Sequence, residues 1–127
     1  MCIRDRAIVE ALTELGRALG FNVETEKDIG LGHRHDVVWM RGGSRIVFEV
    51  LVRGNVYKDV EALSRVEEIG YRGVLVAPSN VLASNRGLIQ RVGVRAVSAE
   101  KIVMLGKELL GDPLLSECLV VLATILL

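Results

Sequence analysis

Two acidic residues, Asp36 and Glu49, stand in otherwise apolar runs on either side of Gly42 and Gly43. A Gly-Gly pair between two apolar runs is typical of a two-residue β-hairpin turn in which both central residues take positive φ. That turn fixes the register and makes Asp36 face Glu49. Side chains that face each other across a hairpin share one side of the sheet, with Cβ atoms about 4.5–5.5 Å apart.

Two carboxylates this close repel each other unless a cation lies between them or one of them is protonated. A cation that prefers oxygen ligands, Mg²⁺ or Mn²⁺, is therefore expected between Asp36 and Glu49. The structural alternative is that Asp36 only begins a strand at the sheet edge and Glu49 pairs with Arg34 or Arg45. A slip of one residue would separate the two acids to opposite faces, so the metal hypothesis depends on the turn.

The two histidines, His33 and His35, follow a loop that contains Gly30 and Gly32. We expect them to lie on opposite sides of an extended strand, which would make them a poor pair of metal ligands. Surface positions are the favoured interpretation, and contact of one of them with a substrate phosphate is the alternative. Trp39 is predicted to lie in the core.

Composition limits the class of protein. The chain has 127 residues, half of them hydrophobic and a quarter charged, which predicts one globular domain. A formal net charge of zero argues against a strongly basic coat for nucleic acid and leaves a local basic face open. Cys2 and Cys118 form no cluster with zinc spacing, so we expect a reduced, cytoplasmic protein. Residues 1–6 fit no periodic pattern and are interpreted as a cloning or gene-assembly scar.

Hydrophobic periodicity predicts helices and strands that alternate in the second half of the chain. The predicted helices cover 7–19, 56–69, 81–91 and 99–110, and the predicted strands cover 21–26, 35–40, 45–53, 73–77 and 92–97. Asn55 and Ser98 are expected to cap the helices that follow them. Three early strands followed by β-α-β units predict a three-layer α/β fold around a mixed central sheet flanked by helices.

The segment 111–127 is expected to form a separate apolar C-terminal helix beyond a domain at 7–110. It is too short, and interrupted by Glu117, to span a bilayer. A helix that is apolar all round must be buried. It packs on the sheet, forms a dimer seam, or is the cut end of a longer protein.

The order of these features resembles the PD-(D/E)xK nuclease superfamily. The likeness rests on the first helix, the Gly20-Phe21 step, the strand with Asp36, the Gly-rich turn and the Glu49-Val50 pair. It is nearest to archaeal Holliday-junction resolvases and Mrr-type restriction endonucleases, and the second half of the chain is similar to the β-α-β-α tail of Mrr-type domains. It covers residues 7–110 and implies a restriction-endonuclease-like fold.

The resemblance also implies a set of site residues. Asp36 and Glu49 match the two acids that hold Mg²⁺ or Mn²⁺ for phosphodiester hydrolysis. Glu10, in the first helix, is the candidate for a third metal ligand. The family places a Lys two residues after the second acid, and this chain has Leu51 there. Lys58 is the preferred replacement.

Arg53 is a further candidate for the missing cation, although it lies about 13 Å along the strand from Glu49 at 3.3 Å per residue. The function implied is a metal-dependent endonuclease acting on DNA, branched DNA included, as a homodimer. RNA remains open as a substrate. The alternatives are a catalytically inactive nuclease-fold module that binds nucleic acid or a protein partner, and a purely structural domain.

Overall fold

The computed structural model describes residues 3–111. Within this range the helices are α1 (Ile3–Ala18), α2 (Val56–Glu68), α3 (Ser79–Ser84), α4 (Arg86–Val92) and α5 (Ala99–Gly111). The strands are β1 (Asn22–Asp28), β2 (Arg34–Arg41), β3 (Ser44–Val50), β4 (Arg72–Ala77) and β5 (Arg95–Ser98).

The five strands form one mixed sheet in the order β1-β2-β3-β4-β5. The pairs β1–β2 and β2–β3 are antiparallel, and the pairs β3–β4 and β4–β5 are parallel. Helices α1 and α5 pack on one face, while α2, α3 and α4 pack on the other. The predicted three-layer α/β fold with a mixed central sheet is therefore confirmed.

The hairpin formed by β2 and β3 has the predicted register. Val37 lies opposite Phe48 and Trp39 lies opposite Ile46. The predicted turn conformation was wrong, because of the two glycines only Gly42 has a positive φ, at 56°. Positive φ at the first central residue alone is the pattern of a type II′ turn, which preserves the same two-residue register as a type I′ turn.

The core between the sheet and helices α1 and α5 is built around Trp39, whose side chain is fully buried. Its ring packs against Phe21 and Phe48, with centroid distances of 5.3 and 4.5 Å. Nε1 of Trp39 donates a hydrogen bond to the carbonyl oxygen of Leu12 at 3.1 Å. The indole can approach α1 this closely because Gly16 has no Cβ; a Cβ there would lie 2.6 Å from the ring. This contact fixes α1 over the hairpin.

The core on the opposite face joins the hairpin to α2. Its buried members include Val38, Val47, Leu51, Val60 and Leu63. The side chain of Asn55 caps α2 by accepting a hydrogen bond from the backbone N–H of Tyr57 at 2.9 Å, as predicted. This core holds the first turn of α2 near the end of β3.

Other boundaries differ from the predictions in specific ways. Helix α1 begins at Ile3, four residues before the predicted start, so residues 3–6, which fit no periodic pattern, are helical. The segment predicted as one helix at 81–91 is two short helices, with Asn85 between them. Gly93, at φ 81°, ends α4 in the left-handed conformation and delays β5 to Arg95.

The predicted C-terminal helix at 111–127 lies almost wholly outside the described residues. Among the helices within residues 3–111, none is both long and apolar enough to cross a membrane.

Candidate metal site at the end of the hairpin

Glu49 is the centre of a buried polar cluster at the end of β3. Its side chain is only 3% exposed. Its Oε1 lies 2.9 Å from Nδ1 of His35, which is 1% exposed, and its Oε2 lies 3.4 Å from Nε2 of His33. The three side chains each offer one ligand atom within 4.8 Å of the others. Two imidazoles and one carboxylate this close are a donor set that fits a divalent metal ion.

The expectation that the two histidines straddle the sheet was wrong. Residues two apart on a strand point to the same side, and the rings of His33 and His35 lie edge to face with centroids 4.9 Å apart. Strict alternation would place His35 on the side of Val37, away from Glu49. At the same level of the sheet, Glu26 of β1, which lies between the Thr25–Val37 and Lys27–His35 pairs, has φ 50°.

The loop before β2 is held by a single side chain. Oδ1 of Asp28 accepts hydrogen bonds from the backbone N–H groups of Gly30, Leu31 and Gly32 at 2.8, 3.1 and 3.2 Å. These hydrogen bonds lower the pKa of Asp28. They fix the loop directly before His33, and so position that imidazole over Glu49.

Asp36 lies beside this cluster and is half-buried. Its Oδ2 accepts a hydrogen bond from the backbone N–H of Val50 at 2.7 Å. Burial raises the pKa of Asp36, and the negative charges of Asp5 and Glu26 raise it further, while the Val50 hydrogen bond opposes the shift. Asp36 therefore binds the backbone of β3 through the N–H of Val50, and its negative charge raises the pKa of Glu49.

The pKa values of the neighbouring acids show that negative charges lie close together where they are partly shielded from water. Burial, followed by the negative charge of Asp36, raises the pKa of Glu49 to about 7. The same two causes raise the pKa of Asp59, in the first turn of α2, to about 6. Burial lowers the pKa of His35, so this imidazole is neutral and able to act as a ligand. The predicted repulsion between Asp36 and Glu49 is present.

The remaining predicted site residues lie at the surface. Glu10 is exposed in the middle of α1, and the acid of α1 whose charge acts on Asp36 is Asp5. Lys58 is exposed in the first turn of α2, and its charge lowers the pKa of Asp59. Arg53 is exposed in the loop after β3. Of these candidates, Lys58 has an electrostatic link to the acidic cluster through Asp59.

Leu51, at the position where the family motif has Lys, is buried in the core beneath α2. Its backbone N–H donates to the carbonyl oxygen of Val76 at 2.8 Å, which continues the pairing with β4. The side chain therefore has a packing role here and none in proton transfer.

Sequence reasoning missed three residues of this site: His33, His35 and Asp59. For the histidines, the i, i+2 spacing indicates that the two side chains share one face of a strand, but alternation alone places that face away from Glu49. For Asp59 it was the position four residues after the Asn55 cap, because the first turn of α2 was already expected near the hairpin to supply Lys58.

No protein-family model and no curated protein matches this chain. Among solved structures, the crystal structure of protein VC1899 from Vibrio cholerae is similar at a TM-score of 0.50 and 13% sequence identity. The alignment covers 80% of this chain and 31% of that one, so this chain spans about a third of that protein's length. At this identity the likeness shows the fold alone.

Proposed function

We propose that this protein is a divalent-metal-dependent nuclease of the PD-(D/E)xK type that hydrolyses phosphodiester bonds in DNA. The observation that carries the proposal is the acidic cluster of buried Glu49 with half-buried Asp36 and Asp59, in which the pKa values of Glu49 and Asp59 rise to about 7 and 6. Acidic side chains held this way destabilise a metal-free protein, so a cation that binds them offsets that cost. The resemblance of the hairpin to the nuclease motif supplies the reaction class.

In this proposal, Glu49 and Asp36 hold a Mg²⁺ or Mn²⁺ ion at the end of the hairpin. A bound divalent ion supplies Lewis-acid stabilisation of the negative charge that develops on phosphate oxygens. His33, whose side chain is 36% exposed, is the histidine of the cluster that is open to solvent. Asp36, fixed by the Val50 N–H, keeps one carboxylate oxygen oriented during the reaction.

The cation that the family takes from its motif lysine has to come from elsewhere in this chain. Lys58 is the proposed source, because its charge already acts on Asp59 within the same cluster. Its exposed position allows the long side chain to move toward a bound phosphate.

DNA, branched DNA included, is the proposed substrate, and a homodimer is the proposed assembly. Both follow from the resemblance to resolvases, which act as dimers because a four-way junction has two symmetric strands to cut. A formal net charge of zero requires that DNA contacts be local to the site.

A second candidate function is a nuclease-fold module that binds nucleic acid or a protein partner without cleaving. Leu51 favours it, because this buried apolar side chain occupies the position of the motif lysine. In that case the acidic cluster would still bind metal, and no phosphodiester bond would be cut.

The test is cleavage of a four-way junction, duplex DNA, single-stranded DNA and RNA with Mg²⁺ or Mn²⁺. Wild type is compared with Asp36→Asn and Glu49→Gln, each purified in parallel, and with Glu10→Gln as an exposed acidic control. Cleavage by wild type and Glu10→Gln, and its loss in the two site variants, supports the nuclease. A folded wild type that binds one of these substrates and cleaves none supports the binding module instead.

A further inference from the structure

We propose that His33, His35 and Glu49 form a two-histidine, one-carboxylate site that selects a first-row transition-metal dication, such as Mn²⁺, Co²⁺ or Zn²⁺, over Mg²⁺. This inference rests on the proposed function: it adds His33 and His35 to Glu49 as ligands of the proposed ion and, of the ions named there, disfavours Mg²⁺. Its evidence is the geometry of three side chains and is independent of whether DNA is cleaved.

The first step of the argument is distance. Two ligands of one ion with metal–ligand bonds of about 2.0–2.1 Å lie roughly 3–3.5 Å apart in octahedral or tetrahedral geometry. The Glu49 oxygens already lie 2.9 and 3.4 Å from the nearest nitrogens of His35 and His33. All three ligand atoms lie within 4.8 Å of one another. A shift of about an ångström by the more exposed His33 would bring the set to ligand spacing.

The second step is the chemistry of the donors. Mg²⁺ prefers oxygen ligands in near-ideal octahedral geometry and keeps much of its water. Imidazole suits Zn²⁺, Fe²⁺ and Ni²⁺, and the affinity of a nitrogen- and oxygen-containing site rises from Mn²⁺ through Co²⁺ toward Cu²⁺, so Mn²⁺ should bind less tightly than Co²⁺ or Zn²⁺. Replacing two oxygens of a carboxylate site with His33 and His35 therefore shifts the preference from Mg²⁺ to a transition metal.

The third step is the burial of His35. Its Nδ1 faces Glu49, and its Nε2 is buried without a hydrogen-bond partner among residues 3–111. An imidazole buried with one unpaired nitrogen lowers stability relative to an apolar side chain of similar size. An apolar side chain would fill this position without that cost, so packing alone does not explain a histidine here. Coordination of a metal ion by Nδ1, the nitrogen that faces Glu49, would give the imidazole a role that offsets the cost of the unpaired Nε2.

The fourth step is preorganisation. Glu49 is fixed in β3, and His33 follows the loop that Asp28 holds through three backbone hydrogen bonds. Sites whose ligands are supported in this way lose less order on binding metal.

The experiment is a titration of the full chain with Co²⁺, followed by visible absorption, with competition by Zn²⁺, Mn²⁺ and Mg²⁺. Wild type is compared with His33→Gln, which changes a partly exposed side chain, and with Glu68→Gln, at an exposed acid at the end of α2, as the surface control. We expect one Co²⁺ per chain, displaced by Zn²⁺ and retained in excess Mg²⁺. Loss of an outer-shell partner weakens metal binding by about 10–100-fold, and His33→Gln should weaken Co²⁺ binding by at least that much. Glu68→Gln should bind as wild type does.

Displacement of Co²⁺ by Mg²⁺ at similar concentration would overturn the proposal, and so would unchanged Co²⁺ affinity in His33→Gln. Because His35 is buried, His35→Gln is used only if circular dichroism shows a folded protein, and it should then weaken binding as His33→Gln does. Transition-metal binding without DNA cleavage would contradict the nuclease and leave this site intact. Cleavage with Mg²⁺ alone, unaffected by His33→Gln, would contradict this site and leave the nuclease intact.

Discussion

Nδ1 of His35 lies 2.9 Å from Oε1 of Glu49, and both side chains are almost wholly buried. Burial raises the pKa of Glu49 to about 7 and lowers the pKa of His35, so each group is driven toward its neutral form. A buried pair of this kind is weak evidence for a contribution to stability. The free-energy cost of burying Glu49 and His35 is consistent with a site that binds a ligand, and this cost can be measured from the pH dependence of stability.

Glu49→Gln should change how stability depends on pH. The folded-state pKa of Glu49, about 7, is above its ordinary value of 4.5, so the wild type is more stable below pH 4.5 and loses that stability as pH rises through 7. At 1.36 kcal/mol per pKa unit, the full loss is about 3 kcal/mol. Gln cannot ionise, so this loss should be absent from the variant. Urea denaturation of both proteins in EDTA at pH 4.5 and pH 8 measures it.

The difference in the free energy of unfolding between wild type and Glu49→Gln isolates Glu49, because other titrating groups, including Asp59, are present in both proteins. Relative to the variant, the wild type should lose stability on going to pH 8. An equal difference at both pH values would contradict the raised pKa of Glu49.

Asp36→Asn and Asp59→Asn should both lower the pKa of Glu49, and Asp36→Asn should lower it more. Each substitution removes a negative charge that disfavours ionised Glu49, and Asp36 contributes more than Asp59. Titration of the Glu49 carboxyl carbon by NMR gives the pKa directly. Glu10→Gln is the control, because Glu10 is exposed and is not among the charges that act on Glu49. A larger decrease of the Glu49 pKa in Asp59→Asn than in Asp36→Asn would contradict the stronger influence of Asp36 on Glu49.

Gly16→Ala should destabilise the protein by about 1–3 kcal/mol through overpacking. The added Cβ would lie 2.6 Å from two atoms of the Trp39 ring and 2.7 Å from Cγ2 of Val23. Gly87→Ala, in α4, is the matched control, since a Cβ there meets nothing within 4 Å. It should be neutral or stabilising by about 0.5–1 kcal/mol, because Ala loses less backbone freedom than Gly in a helix. Urea denaturation compares them; equal stabilities would show that α1 can move away from Trp39.

The features predicted correctly from the sequence are those set by local chemistry. The length of the Gly42-Gly43 loop fixed the hairpin register, and the β-α-β order of the second half indicated parallel strands. Asn55 accepts from the N–H of Tyr57, and Ser98 accepts from the N–H of Lys101 at 3.2 Å, so both predicted caps are confirmed. Hairpin turns and helix caps are decided within a few residues, which makes them readable without the tertiary structure.

The features missed depend on tertiary placement or on a local break in periodicity. His35 contacts Glu49, although strict alternation along β2 would place its side chain on the side of Val37, so alternation by two cannot predict this contact. Asp5 acts on Asp36 from a first turn that begins at Ile3, in a segment whose sequence showed no helical pattern. Asp59, in the first turn of α2, raises the pKa of Glu49 in the hairpin. These relationships follow from packing of distant segments, so a single sequence does not reveal them.

Lys58→Ala should lower cleavage by about 10²-fold or more if Lys58 assists proton transfer or holds the reacting phosphate. Lys101→Ala, an exposed lysine on α5, is the control and should cleave as wild type does. Rates are compared at saturating metal, so that altered metal affinity does not contribute. Equal rates for the two variants would remove Lys58 from the mechanism.

Leu51→Lys should increase cleavage at least tenfold, because it restores a cation two residues after Glu49. The Lys stem can cover much of the apolar surface that Leu51 now covers, and its ammonium would enter the field of Asp36, Glu49 and Asp59. We expect a loss of stability of about 1–3 kcal/mol. Leu51→Met, similar in volume and uncharged, should cost less than about 1.5 kcal/mol and give no gain in rate.

Single-turnover cleavage and urea denaturation of the same Leu51 variants separate rate from folding. A gain in rate confined to Leu51→Lys would mean that the acidic cluster is a working metal site and that a motif-position cation assists cleavage beyond what Lys58 supplies. A folded Leu51→Lys that cleaves no faster than Leu51→Met would mean that a cation at this position cannot reach the reacting phosphate. Absence of cleavage in wild type and in both Leu51 variants would favour the binding module, because restoring the motif cation would then not be enough for phosphodiester hydrolysis.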